Sequence, residues 1–150
     1  MDTVTYPNEK VASFITEHFI PLKLNILDNP EPAKRYQASW TPTILVRDAD
    51  GREYHRHVGY LPPDDFLAQL SLARGMTEFE RQNFGEAVNR FQEVINQYPT
   101  SSAAPQACYY MGVSHYKLGD REKLMAAWGD LMKNYPDNDW AKKASFAFEK

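Results

Sequence analysis

A chain of 150 residues that is 43% hydrophobic, 13% aromatic and 25% charged has a globular balance, enough for one ordinary domain or two very small ones sharing a core. Its formal net charge of -3 carries no surplus for nucleic acid or an anionic membrane, so neither is expected as a partner. No apolar run approaches the ~18 to 20 residues that span a bilayer, and Met1 to Thr5 lacks the layout of a signal peptide, so a soluble cytoplasmic protein is expected. Cys108 is the single cysteine, which leaves no internal disulfide, no Cys-x-x-Cys pair and no multi-cysteine zinc site.

Asn8 is placed to cap a helix running to about Phe19, because Val11, Phe14, Ile15, His18 and Phe19 share one face at three-and-four spacing. Ile20, Leu22, Leu24 and Ile26 then alternate with Pro21, Lys23 and Asn25, which predicts a strand. After Asp28-Asn29-Pro30 a short helix is expected through Ala33 and Tyr36, up to Trp40-Thr41-Pro42. Thr43 to Val46 is a β-branched, apolar run, and Asp48-Ala49-Asp50-Gly51 turns it back into Glu53 to Tyr60 as an antiparallel hairpin. Pro62-Pro63-Asp64-Asp65 opens a long helix to about Gln82, with prolines where N–H groups need no partner and acids at the positive end of the dipole.

Everything beyond residue 68 reads as helical, and it repeats. Phe91 to Pro99 aligns with Trp128 to Pro136 at a spacing of 37 residues, and the same spacing sets Gly75 against Gly112 and Ala87 against Leu124. Glycine admits a close approach of two helices, the Ala87/Phe91 and Leu124/Trp128 pairs fill the wedge between hairpins, and Pro99 and Pro136 stop the second helix of each. On these residues, 68 to 136 resembles tetratricopeptide repeats, with Ser71 and Glu78 departing from the large apolar residues usual there. A final helix bearing Trp140, Ala144 and Phe148 on one face would cap the second repeat, while the helix at 62 to 82 would belong to both halves.

The first half, through Thr41-Pro42-Thr43 ahead of its strand and Val58-Gly59-Tyr60-Leu61 closing the hairpin, resembles the thioredoxin fold from its first active-site helix onward. The fold expected is therefore α/β then α: a partial thioredoxin-like fold of helix, strand, helix, hairpin and helix over residues 1–72, fused to two tetratricopeptide-like hairpins and a capping helix over 68–150. The resemblance implies a cis bond before Pro42 and a peptide-docking edge at Trp40, Thr41 and Pro42. It also implies a link to thiol–disulfide oxidoreductases, but the redox cysteines are absent, so no thiol chemistry is expected from this chain. Either the sequence starts late, after a Cys-x-x-Cys, which the pairing of strands favours, or it is a naturally reduced module; loss of the family's central strand would leave two inner edges unpaired or force a different pairing.

Other constellations are weaker. His55 and His57 project from one strand face, but Arg52 and Arg56 oppose a cation there. His18, His115 and Cys108 read as packed residues, and Asp48 to Gly51 lacks the glycine and glutamate positions of a calcium loop. No catalytic residue, metal or cofactor is expected. The alternative to a redox-family protein is a non-catalytic scaffold that binds a protein or an extended peptide through the tetratricopeptide repeats and the Thr41-Pro42 edge, with a homodimer through unpaired strand edges left open.

Overall fold

The computed structural model describes residues 1–149 and divides into two compact units, Met1–Leu67 and Ala68–Lys150. The first unit opens with a turn over residues 2 to 7 and helix α1, Glu9–His18, whose cap Asn8 accepts from the N–H groups of Lys10 and Val11. Val11 is buried, while Phe14, Ile15, His18 and Phe19 are half-buried. Helix α2, Pro30–Arg35, has its first proline where no N–H partner is needed. Strands β1, Thr43–Arg47, and β2, Glu53–Val58, form a two-stranded antiparallel sheet with Thr43 opposite Val58 and Val46 opposite His55. Gly51, at φ 85°, closes the turn, where Asp48 Oδ1 accepts from Arg52 N–H at 2.9 Å. A register shift follows Val46.

The strand expected at Ile20 to Ile26 does not form; the segment is coil followed by a turn. Its apolar side chains alternate as a strand requires, yet Ile20 is 100% and Leu22 79% exposed. A strand needs a neighbour for its ladder, and among the described residues no backbone hydrogen bond engages Ile20 to Leu24. Alternation is a property of the segment, whereas pairing is not.

Helix α3, Pro63–Glu80, runs through the division between the units. The second unit continues with α4, Phe84–Gln97, α5, Ala104–Lys117, and α6, Arg121–Asn134, followed by α7, Asp139–Ala144, and a 3-10 turn, Ser145–Phe148. Leu72, Met76, Ala87, Phe91 and Val94 are buried together in its first core; Cys108, Leu124, Trp128, Leu131 and Ala141 form the second. The expectation of one apolar face reaching Phe148 fails beyond Ala144. The helix tightens to 3-10 geometry at Ser145, which rotates later side chains out of the 3.6-residue register, and Phe146 and Phe148 are exposed.

Candidate functional site

The peptide bond between Thr41 and Pro42 is cis. Gly59 N–H donates to the Pro42 carbonyl at 2.9 Å, which extends the sheet register beyond Thr43 and sets Gly59 opposite Pro42. Trp40, Val58 and Tyr60 consequently gather at one end of the sheet, and all three are exposed, Trp40 by 69%. The Trp40 carbonyl accepts from Thr43 Oγ1 at 2.5 Å, which ties the approach to the strand. Of these residues, Trp40, Thr41 and Pro42 are candidates by sequence. Val58 and Tyr60 join them only through register, although their period-two spacing on a strand would have placed them on one face.

The middle and the turn end of the hairpin are tied to α2. The Arg56 guanidinium donates to both carboxylate oxygens of Glu53 at 2.8 Å and to the Tyr36 carbonyl at 2.8 Å, linking β2 to the end of α2. The same pairing lowers the Glu53 pKa and raises that of Arg56. Arg47 lies 4.5 Å from the Tyr36 ring centroid and donates to the Gly51 carbonyl. His57 is half-buried on β2, and burial lowers its pKa against an opposing pull from Asp65. Among the described residues, no three His, Cys, Asp or Glu side chains converge as metal ligands would.

In the second unit, Gly75 faces Phe91 and Gly112 faces Trp128: a Cβ on either would lie 2.5 Å from the ring. Ala87 and Leu124 are buried one turn before those rings, while Pro99 and Pro136 are exposed beyond the ends of α4 and α6. Trp128 Nε1–H donates to the Tyr109 carbonyl at 3.0 Å, and the Tyr135 hydroxyl donates to the Pro99 carbonyl at 2.6 Å. The Trp128 ring stacks on Tyr109 at 5.1 Å, and Trp140 meets both Tyr109 and Tyr110 at 5.1 and 5.6 Å. Tyr109, Tyr110 and Trp140 are half-buried, so this cluster combines structural packing with some solvent-facing aromatic surface. Cys108 is 4% exposed, and burial, with Asp130 nearby, pushes its thiol up to about 11; it holds its proton at neutral pH and is a packing residue.

Comparison with known proteins follows the same division. The Thioredoxin-like domain family matches residues 1–74, and the Outer membrane lipoprotein family YfiO matches residues 64–131. The outer membrane protein assembly factor BamD of Rickettsia prowazekii (strain Madrid E) is 31% identical over 77 residues, which cover 51% of this chain and 31% of that protein. The chain therefore spans about a third of the length of this curated relative. It carries a thioredoxin-like domain followed by a tetratricopeptide-like helical extension similar to these lipoproteins. These matches overturn the cytoplasmic expectation, since residues 64–131 match a family of outer membrane lipoproteins and the curated relative is an outer membrane protein assembly factor, which point to the envelope. Composition cannot supply this address. Among the described residues no helix is long and apolar enough to cross a membrane.

Proposed function

We propose that this chain is a non-catalytic scaffold of the cell envelope that binds other proteins, taking an extended peptide along Trp40, Thr41 and Pro42. The observation that carries this reading is the set of exposed apolar side chains, Trp40, Val58 and Tyr60, held at one end of a braced hairpin. A large aromatic ring that stays exposed beside strand backbone offers contact area together with main-chain hydrogen bonds, the two requirements of extended-peptide recognition. The similarity to an outer membrane protein assembly factor supports a protein partner and an envelope setting. Gly75, Ala87, Phe91, Pro99, Gly112, Leu124, Trp128 and Pro136 have a framework role in this reading, packing the repeats and ending their helices.

Titration of the isotopically labelled chain with a reduced, carboxymethylated polypeptide tests the site by NMR. Shifts are expected at Trp40, Thr43 and Val58 to Tyr60, and Trp40→Ala should weaken binding by about tenfold or more. No shift at these residues at millimolar probe would refute the docking edge. Thiol–disulfide turnover has no support in the one buried cysteine. Thiol-dependent insulin reduction should stay at the buffer rate, whereas turnover that survives Cys108→Ala would overturn the non-catalytic reading.

A further inference from the structure

Cations of the first unit settle on its aromatic rings. Lys23 stands 5.6 Å from the Tyr6 ring centroid, Arg35 and Arg47 stand 5.7 and 4.5 Å from that of Tyr36, and Arg52 stands 5.5 Å from that of Tyr54. The unit, Met1–Leu67, holds two further Tyr or Trp rings, Trp40 and Tyr60. Among the described residues, neither ring takes a lysine or arginine over its face. Both are more than half exposed, at 69% and 56%. The charge around them is negative: in residues 36–46 and 58–66 the charged side chains are Asp64 and Asp65. Asp64 follows Tyr60 by four residues, a reach of no more than about 14 Å of chain. It is exposed and, among the described residues, forms no ion pair. Asp65, in the first turn of α3, acts on His57 of β2. Arg56, the arginine nearest Val58 along β2, is already bound to Glu53 and to the Tyr36 carbonyl.

We propose, on the reading that Trp40, Thr41 and Pro42 take an extended peptide, that this peptide is basic: an arginine or lysine lies on the Trp40 or Tyr60 ring, with Asp64 as its counter-charge. An indole or phenol face attracts a cation through its quadrupole, most strongly for Trp, and the methylene stem of arginine or lysine lies well against an apolar ring. The unit's own cations make this contact at Tyr6, Tyr36 and Tyr54; at Trp40 and Tyr60 the partner supplies the cation. An uncharged apolar peptide could use the same rings but would gain nothing from Asp64. An acidic one would be repelled by Asp64 and Asp65.

A capped heptapeptide of Val, Thr and Ser with a central arginine, and the same peptide with citrulline in its place, test this by NMR titration of the full chain. Citrulline keeps the length and planar end of arginine without its charge. Both peptides should shift Trp40 and Val58 to Tyr60, and the arginine peptide should bind about fivefold or more tightly at low salt. Screening should narrow the difference in about 0.5 M salt. Tyr60→Leu keeps an apolar side chain and loses the ring, while Asp64→Asn loses the charge. Each should cut the arginine-to-citrulline affinity ratio about two- to fivefold. Equal affinities for the two peptides, or a ratio that neither variant moves, would overturn the proposal and leave the docking edge standing. No shift with either peptide at millimolar concentration would remove the docking edge and the proposal with it.

Discussion

Thr5 has no solvent exposure, and its hydroxyl donates to the Leu61 carbonyl at 2.6 Å, pinning the first turn of the chain to the approach of α3. Nothing in the pattern around Thr5 marks it, because the bond joins residues 56 positions apart. Thr5→Val keeps the shape and leaves a buried carbonyl unpaired, so urea denaturation should show a loss of about 1–3 kcal/mol, with Thr5→Ser recovering most of it. Cys108 makes the opposite point, since its helical, aromatic surroundings already mark it as buried. With the thiol pushed from 9.0 up to about 11, its thiolate fraction at pH 8 falls about 100-fold, and labelling by a thiol reagent should slow at least that much relative to the urea-unfolded chain. The folded state keeps this proton where the unfolded state releases it, so the contribution of Cys108 to stability declines as pH rises from 9.0 toward about 11.

Among the elements, the helices and hairpin were legible because their signals are local: an Asn8 cap, a Gly51 turn, prolines at helix starts, and the 37-residue spacing. The spacing extends to backbone geometry, since Gln82 and Gly119, also 37 apart, both have positive φ, at 64° and 83°. The glycines within the repeats act through contact. Gly75→Ala and Gly112→Ala gain about 1 kcal/mol of helix propensity, but each Cβ would lie 2.5 Å from a buried ring, Phe91 or Trp128. Overpacking costs about 1–3 kcal/mol, so both variants should lower the melting temperature. Gly129→Ala, in α6 with nothing within 4 Å of the added Cβ, should raise it. If all three variants were stabilised alike, propensity rather than packing would decide these positions. The segment at Ile20 to Ile26 shows where local signals stop: its alternation is correct for a strand, yet no neighbouring backbone completes a ladder.

For the whole molecule, His57 in the first unit and His115 in the second both have pKa values lowered mainly by burial, with Lys123 adding to the shift at His115. Each unfolded imidazole takes up a proton below 6.5 that its folded counterpart resists, so stability is retained above 6.5 and falls as pH drops below it. Urea midpoints should decrease between about pH 7 and pH 5, and the combined variant His57→Gln/His115→Gln should flatten that slope; an unchanged slope would assign the acid sensitivity elsewhere. Sequence by itself determined the helices, the hairpin and its turn, the repeat spacing and the cysteine count, because caps, turns and periodicity act over a few residues and the repeat is a comparison of the chain with itself. Tertiary structure alone decided that Ile20 to Ile26 is not a strand, that Thr5 is an anchor, and that Val58 and Tyr60 join Trp40. Those outcomes depend on which backbone supplies a hydrogen-bond partner and which surface is removed from water, and both are set by residues far apart in the chain.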